Sequence, residues 1–495
     1  MKKRVFSGQM SQGMLKNYYT DPNVRARIVE FLGGSSVAGA TCHYITTGDA
    51  ADFQNRRPLP ASDLISLFDS GVDICRSLWD RVSLIVDLDI EYVNFDYPAE
   101  AFTEPERTFD MQSPVERLVE ELLLKFGIVP LHCLSGRGHH FVWRIRQDSA
   151  TYQWLARLGR VPPSLWEISA RPHPPNGEAV CSSLTAAFAG LGLVMEYLAH
   201  RVKELAASLT GIPVELTAVE VGPGRRGREM ISIDISEYGD PLYSRALRVP
   251  FTSYLKPQYQ SWLIGEDLLR KLPALFCIPL HEMSWRQGIV VMRDPQMTAE
   301  LAARASVKIP EFSEAMGNLV AEYEESALAK FHTWFYSVEH HPPEQWLDTY
   351  DRTPMNILPA CVRTILVNPN DLLLRPGEMR MVTRVMLALG WHPRHIAGLI
   401  RSKFERDYGW GSQWFDADPA MRADFYTRVF SGLFAVGRDD LVNFNCQSSK
   451  EEKICPVADC PANLELFRRS ALARRRYDHL AHRPFNGLFL PEEHR

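Results

Sequence analysis

Residues 84–89 read Leu-Ile-Val-Asp-Leu-Asp, an apolar segment that ends in two carboxylates one residue apart. The apolar run predicts a buried strand, and side chains at positions i and i+2 of a strand leave it on the same face. Asp87 and Asp89 should therefore project together, about 6 to 7 Å apart along the strand. Two carboxylates that close repel each other unless a cation lies between them, and a divalent ion used in phosphoryl transfer is the obvious candidate. The alternative is an acidic strand end that caps a turn.

Composition limits the class of protein. The chain has 495 residues, which predicts about two to four domains. Its 45% hydrophobic and 23% charged residues are typical of a soluble globular protein. The net charge of −5 excludes a strongly basic surface overall, so a nucleic-acid partner would be bound through local patches.

Targeting signals and cysteine usage point to the cytoplasm. No run of about 18 apolar residues occurs, so no transmembrane helix is expected. Residues 1–9 are basic but have no apolar segment behind them, so a secretory signal is not expected. The nine cysteines, an odd number spread over the chain, indicate reduced thiols rather than a disulfide framework.

The pattern of apolar residues divides the chain in two. Strands and helices alternate up to about residue 260 and predict an α/β or α+β catalytic domain, whereas the remainder is mainly α-helical. Helices are expected over 15–32, 113–126, 184–209, 315–338 and 378–389, strands over 82–89, 128–134, 141–145, 230–235 and 245–254, and a loop over 161–180. The expected regions are an N-terminal helical or mixed extension (1–75), a catalytic domain (76–262), a helical linker domain (263–350) and a helical domain with metal-binding cysteines (351–495).

A second motif, Ser-Gly-Arg-Gly-His-His at residues 135–140, lies between two expected strands. Its two glycines would let the backbone approach a ligand closely. Ser, Arg and His side chains together with backbone N–H groups form a phosphate cradle. A polar hairpin turn without a ligand is the alternative.

A third motif, Ile-Ser-Ile-Asp-Ile-Ser at residues 231–236, is an alternating strand that carries the acid Asp234. Three cations follow it: Arg245, Arg248 and Lys256. This pattern predicts a third metal-facing carboxylate with cations for a triphosphate. Surface charges around a hairpin are the alternative.

Taken together, the three motifs resemble the catalytic core of the archaeo-eukaryotic primase superfamily. That core has an acid-x-acid strand end, a Ser-Gly-x-Gly-x-His turn, a strand-borne Asp, and an Arg-x-Pro-Phe/Gly-Ser/Thr element followed by a Lys. The same elements occur here in the same order, at 87–89, 135–140, Asp234, and 248–252 with Lys256. The resemblance covers roughly residues 80–260.

The resemblance implies an RRM-like sheet and a two-metal active site. Asp87, Asp89 and Asp234 would hold two Mg²⁺ or Mn²⁺ ions, one for the primer 3′-hydroxyl and one for the incoming triphosphate. His139 occupies the variable position of the turn and is expected to be structural. The implied nucleotide contacts come from Ser135, Gly136, Arg137, Gly138, His140, Arg248 and Lys256, with Arg245 as either a further phosphate ligand or a surface charge.

The implied function is that of a DNA primase or primase-polymerase, which starts strands on a single-stranded DNA template from NTPs or dNTPs. Cellular small subunits of the superfamily carry a zinc knuckle after the acid-x-acid strand, but residues 90–130 contain no cysteine or histidine. A cytoplasmic protein of bacterial, viral or plasmid type is therefore expected, with a helicase or other replication proteins as candidate partners. The alternatives are a primer-extending repair polymerase of the same superfamily, or a non-catalytic replication or defence factor that binds single-stranded nucleic acid.

Four cysteines of the second half form a further candidate site. Four thiolates can hold zinc or an iron–sulfur cluster, whereas scattered buried cysteines are the simpler interpretation of the others. The order of motifs resembles the iron–sulfur domain of the primase large subunit, with a Leu-Pro-x-Cys opening at 358–361, a Gly-x-Met/Arg helix at 377–380 and a Cys-Pro at 455–456. The last cysteine comes much earlier than in that family. The candidate ligands are Cys361, Cys446, Cys455 and Cys460.

This second resemblance implies a [4Fe–4S] cluster, with zinc or no metal as alternatives. One chain would then join a catalytic core to a helical domain that grips the template and the initiating nucleotide. Basic side chains would supply the phosphate contacts of that domain. They are Arg380, Arg384, Arg394, Arg401 and Lys403 on its helices and a denser run near the C-terminus, Arg468, Arg469, Arg474, Arg475 and Arg476. A solvated helix face is the alternative for the C-terminal run.

Overall fold

The acid-x-acid strand lies inside a six-stranded mixed sheet. The computed structural model describes residues 12–47, 58–170, 180–239, 247–367, 375–404, 419–456, 460 and 463–480. The strands within these ranges are β1 Ile45–Thr47, β2 Ile74–Arg76, β3 Ser83–Asn94, β4 Leu131–Leu134, β5 Gly138–Arg146, β6 Val214–Leu216, β7 Glu229–Asp234, β8 Leu247–Arg248 and β9 Ile278–Pro279.

The main sheet has the order β6-β7-β3-β5-β4-β9, and all its pairs are antiparallel except β6 with β7. Strand β3 is buried along its whole length apart from Asp89, which is partly exposed. An interior strand buried on both faces explains the almost continuous apolar run of this segment. Asp89 is thus the residue of β3 that is partly accessible to solvent.

A second, three-stranded sheet has the order β1-β2-β8 and joins the N-terminal region to residues 247–248. Two of the expected region boundaries, 75/76 and 350/351, fall within β2 and within the 3₁₀ helix Tyr350–Arg352. One cluster of buried apolar side chains extends from Leu15 to Ala471. The expected regions therefore share a continuous core.

The helices surround the main sheet and form the second half of the protein. Their bounds are α1 Gln12–Tyr18, α2 Pro22–Phe31, α3 Leu64–Ser70, α4 Glu100–Thr103, α5 Pro105–Lys125, α6 Ala150–Leu158, α7 Pro163–Ala170, α8 Ser182–Ala206, α9 Lys256–Tyr259, α10 Ser261–Ile264, α11 Glu266–Leu269, α12 Trp285–Val291, α13 Pro295–Arg304, α14 Ser313–Glu325, α15 Ala327–Phe335, α16 Ala360–Val367, α17 Pro376–Ala388, α18 Pro393–Phe404, α19 Pro419–Ala435, α20 Cys446–Glu451 and α21 Leu464–Leu480. The expected mixture of α and β in the first part and of helices after it is confirmed.

Several expected boundaries were wrong for local reasons. The expected helix 15–32 is two helices, because the Asp21 carboxylate caps α2 by accepting from the backbone N–H groups of Asn23 and Val24. The helix expected to start at Ser113 begins instead at Pro105, and Pro114 lies inside it. The expected loop 161–180 contains α7, and residues 171–179 lie outside the described ranges.

Two other segments also differ from expectation. The expected helix 315–338 is interrupted at Ser326, whose hydroxyl caps α15 by accepting from the Ala329 N–H. Within the described residues, the strand expected over 245–254 comprises only Leu247–Arg248, since the chain turns after β8. Helix α8 is long and apolar enough to span a membrane, but 78% of its most apolar window is buried inside the protein, as in a core helix.

Candidate active site

The backbone register of the main sheet brings the three motifs into one row. Asp89 on β3 lies opposite His140 on β5 and, on its other side, opposite Asp234 on β7. Residues directly opposite each other in antiparallel strands project to the same face. Asp87 and Glu91, two residues before and after Asp89, share that face because side chains alternate along a strand. The row therefore collects four acids and one histidine on the central strands.

Three of these acids are close enough to share a cation. Asp89, Glu91 and Asp234 each place one carboxylate oxygen within 4.8 Å of the other two. Carboxylate oxygens are the ligands that Mg²⁺ and Mn²⁺ prefer. Glu91 was not predicted, because the strand was expected to end at Asp89, whereas it continues to Asn94. The sequence signal was present, since Glu91 continues the i, i+2 spacing of the acids.

The remaining acid, Asp87, is bound by the histidine of the second motif. His140 Nδ1 lies 3.0 Å from Asp87 Oδ2 and 3.9 Å from Asp89 Oδ1. Burial alone would lower the pKa of His140, but Asp89 and Asp87 together raise it to about 9. His140 is therefore an imidazolium at neutral pH.

The acidic row retains unsatisfied oxygen atoms. Asp87 Oδ1 and Asp89 Oδ1 are both buried, and neither has a hydrogen-bond partner within the described part of the chain. Burial, and then the carboxylates of Glu91, Asp87 and Asp234, raise the pKa of Asp89. Orphaned buried oxygens within a like-charge cluster fit a bound divalent cation, which would supply the missing partner.

The third acid is oriented by the residues that follow it. Asp234 Oδ1 accepts hydrogen bonds from the Ser236 backbone N–H (3.0 Å) and from the Ser236 hydroxyl (2.5 Å). The Tyr238 hydroxyl donates to the Asp87 carbonyl (2.7 Å) and accepts from the Asp87 N–H (3.1 Å). The 3₁₀ helix Ser236–Gly239 therefore holds Asp234 and the backbone of β3 in a fixed relation.

The glycine turn is shaped by contacts within the protein. The Ser135 N–H donates to the Gly138 carbonyl (2.9 Å), which closes the turn between β4 and β5. A Cβ at Gly138 would overlap the Ile90 carbonyl of β3, and one at Gly136 would overlap the ring of Tyr254. The two glycines were expected to let a ligand approach the backbone closely. In the structure, the Ile90 carbonyl and the Tyr254 ring occupy the space beside these glycines.

Two of the predicted phosphate ligands converge on Glu91. Arg137 Nε and Nη2 each lie 2.5 Å from a different Glu91 oxygen, a bidentate pair, and Lys256 Nζ lies 3.8 Å away. Burial alone would raise the pKa of Glu91, but Arg137 and Lys256 hold it at about 2. Glu91 therefore neutralises the cations that a triphosphate would use.

The remaining cations of the third motif have different environments. Arg248 Nη1 lies 2.5 Å from Asp73 Oδ2, and its guanidinium stacks 4.6 Å from the ring centre of Tyr254. Arg245 lies outside the described residues.

Phe251, three residues after Arg248, has a φ of +64°, which costs about 1 to 2 kcal/mol in a residue other than glycine.

The four predicted cysteine ligands come together in the helical half. Burial, together with the neighbouring thiols of Cys455, Cys446 and Cys460, raises the pKa of Cys361 to about 12. The Ala360 N–H donates to Cys460 Sγ (3.5 Å), and the Leu464 N–H donates to Cys446 Sγ (3.4 Å). Hydrogen bonds of this kind stabilise metal-bound thiolates. Four thiols are a donor set for zinc or an iron–sulfur cluster, but no three of these sulfur atoms lie within 4.8 Å of one another in the structure.

The basic residues of α17 and α18 do not form the expected phosphate-binding surface. Arg384 forms a buried ion pair with Asp439 at 2.6 Å, and Arg394 does so with Asp424 at 2.6 Å. Arg380 is buried and donates to the Glu220 carbonyl (2.7 Å). The other two predicted cations are engaged as well: Lys403 lies 3.4 Å from Asp351, and Arg401 lies over the ring of Trp346. The expectation was wrong because these charges hold the helices together.

The geometry thus provides a carboxylate row with an imidazolium, a pair of partly neutralised cations beside it, and a separate group of four thiols. Such a row can bind divalent ions and phosphates but contains no nucleophile–base pair of the hydrolase type among the residues described. No family model, curated protein or solved structure matches this chain.

Proposed function

We propose that this chain is a template-directed nucleotidyltransferase, a DNA primase or primase-polymerase that acts by a two-metal mechanism. The observation that carries the proposal is the register of β3, which places Asp89 opposite both His140 and Asp234. Three motifs far apart in the sequence then form one row, in the combination found in the archaeo-eukaryotic primase superfamily. A charged row of this kind would repel nucleic acid in a protein that only binds it.

The acids would hold the metal ions. Asp89, Glu91 and Asp234 would bind through oxygens that already lie within 4.8 Å of one another, and Asp87 would contribute its unpartnered Oδ1. When bound, the ions would activate the 3′-hydroxyl and neutralise the charge of the leaving pyrophosphate. Ser236 and Tyr238 keep the acids at fixed positions, which reduces the reorganisation required during the reaction.

Arg137, Lys256 and His140 would bind the triphosphate. His140 donates a charged hydrogen bond and sits beside Asp89, where phosphate oxygens would meet the metal. Arg137 and Lys256 are held near the row by Glu91 until a nucleotide arrives. If Glu91 bound a metal ion, Arg137 and Lys256 would become available to phosphates.

The four-thiol group would hold a [4Fe–4S] cluster, with zinc as the alternative. It joins the start of α16, the start of α20 and the segment before α21. A cluster would cross-link these segments, which are far apart in sequence, and so stabilise the helical half. That half would position the template and the initiating nucleotide.

De novo primer synthesis on single-stranded DNA with Mn²⁺ and either NTPs or dNTPs tests the proposal. The double variant Asp87→Ala/Asp89→Ala should give no product, whereas Asp148→Asn, which removes an exposed acid at the end of β5, should behave as wild type. Equal product from wild type and the double variant would refute the proposal. Activity only when a primer is supplied would identify the primer-extending repair polymerase instead.

Calorimetric titration of nucleotide with and without Mn²⁺ distinguishes the enzyme from a binding factor. Asp234→Ala should lose metal-dependent nucleotide binding and keep DNA binding. Metal-independent nucleotide binding, unchanged by the substitution, would favour the non-catalytic alternative.

A further inference from the structure

A second group of metal-ligating side chains lies behind the main sheet. Glu116 and Glu120, one turn apart on α5, and His132 on β4 each place one ligand atom within 4.8 Å of the other two. His132 pairs with Phe141, so it projects from the face opposite to that of His140. The same face carries His139, whose ring contacts Phe109 of α5. The group is therefore separated from the acidic row by the sheet itself.

Glu116 is the member of this group that lacks a partner. It is only 6% exposed. Among the described residues, its carboxylate has no hydrogen bond or ion pair, and a carboxylate oxygen of Glu120 lies within 4.8 Å. A buried carboxylate next to a second carboxylate is neutralised either by a proton or by a bound cation. Glu120 is exposed, so an ion can reach the group from solvent.

His132 has the arrangement of a metal ligand with an outer partner. Its Nδ1 lies 3.0 Å from Glu120 Oε1, on the side of the carboxylates, and its Nε2 lies 2.8 Å from His139 Nδ1. Metal-binding histidines commonly use one nitrogen for the metal and donate the other N–H to a neighbouring acceptor. His139 is fully buried, and its Nδ1 would serve as that acceptor, while its Nε2 has no hydrogen-bond partner among the residues that the structure describes.

We propose that Glu116, Glu120 and His132 form a second metal site, for a zinc-class divalent ion, which links α5 to β4. Two carboxylate oxygens and one imidazole nitrogen are a common zinc donor set, and three protein ligands leave one position for water. An imidazole ligand favours zinc over Mg²⁺ and so separates this site from the acidic row. Its role is positional: His132 contacts His139, the residue before His140 in β5.

The experiment is a calorimetric titration of the metal-depleted, full-length protein with Zn²⁺, with Mg²⁺ in excess to occupy the acidic row. Wild type is compared with Glu120→Gln and His132→Gln. The matched control is Glu121→Gln, which removes the same charge from an exposed position of the same helix. The four thiols are common to all these proteins, so differences in zinc stoichiometry report on this group.

Both site variants should lose one equivalent of Zn²⁺ relative to wild type, or weaken it by at least about 100-fold. Glu121→Gln should retain it, and Zn²⁺ should raise the thermal midpoint of wild type more than that of the site variants. Unchanged zinc stoichiometry and affinity in Glu120→Gln would overturn the proposal. If His132→Gln fails to fold, the result for Glu120→Gln, at an exposed position, tests the proposal by itself.

The alternative is a simple hydrogen-bond network in which Glu120 accepts from His132. In that case Glu120→Gln would lower the midpoint equally with and without Zn²⁺, which also overturns the proposal. These readouts do not involve nucleotidyl transfer, so the second site stands or falls independently of the proposed function.

Discussion

Asp89 on β3 lies directly opposite Asp234 on β7, and their carboxylates, with that of Glu91, place oxygens within 4.8 Å of one another. A cluster of acids this close is unfavourable for folding unless a cation neutralises it. Stability and function should therefore respond in opposite directions when Asp89 loses its charge.

Asp89→Asn should stabilise the protein in the absence of metal ions, and it should abolish the activity that the protein has in their presence. The substitution removes one of several mutually repelling buried charges, so the free energy of unfolding should rise by about 1 kcal/mol in the presence of chelator at mildly alkaline pH. Stabilisation of wild type by Mn²⁺ should be lost in the variant. Urea unfolding with chelator or Mn²⁺ measures both effects. A variant less stable than wild type under chelator would contradict the repulsion argument.

Glu91→Gln should have the opposite effect on stability, although Glu91 lies only two residues away on the same face. Glu91 neutralises Arg137 through a bidentate pair. Removing its charge leaves the partly buried guanidinium of Arg137 without its bidentate counterion, which should cost about 3 kcal/mol. The same urea unfolding, run beside Asp89→Asn, provides the comparison. If the two substitutions changed the free energy of unfolding in the same direction, the pair with Arg137 would not be the dominant contact of Glu91.

The His140–Asp87 contact predicts a pH dependence of stability in the metal-free protein. The pKa of His140 is raised from its ordinary value of 6.5 to about 9 in the folded state. Its stabilising contribution is therefore complete below pH 6.5 and is lost as pH rises through about 9.

This pH dependence is measured by urea unfolding under chelator across that range. Wild type should lose about 2 kcal/mol more than His140→Gln over the same pH change. Parallel curves for the two proteins would show that the imidazolium contact does not contribute.

Gly138→Ala should be strongly destabilising because its Cβ would overlap the backbone of β3 at Ile90. Backbone cannot move aside as a flexible side chain can, so a cost of about 3 kcal/mol or more is expected. Gly211→Ala is the matched control, since nothing lies within 4 Å of a Cβ there. Its stability should stay within about 0.5 kcal/mol of wild type. Thermal unfolding of both variants would test the intramolecular reason for this glycine.

Anaerobically purified protein should be brown and contain about four iron atoms per chain. Cys455→Ser should lose the iron, whereas Cys181→Ser, at an exposed cysteine, should retain it. Elemental analysis of the three proteins decides between iron and zinc. A colourless protein with one zinc that is lost in Cys455→Ser would assign the site to zinc.

Much of the acidic row could be predicted from local pattern alone. An apolar run with acids at i and i+2 places Asp87 and Asp89 on one face whatever the rest of the chain does, because the side-chain period of a strand is two. The glycine turn was predicted between two strands, and Asp234 on another strand, from similar patterns. The structure places His140 and Asp234 on the two strands that flank Asp89.

The partners of charged side chains could not be predicted in this way. Glu91 was missed because the strand continues beyond its apolar run, and the basic residues of α17 and α18 were assigned to phosphates although they pair with Asp439 and Asp424 inside the protein. Alternation and helical spacing determine which face a side chain occupies. Which distant segment covers that face depends on strand register and helix packing, and these arise from contacts between residues far apart in the chain.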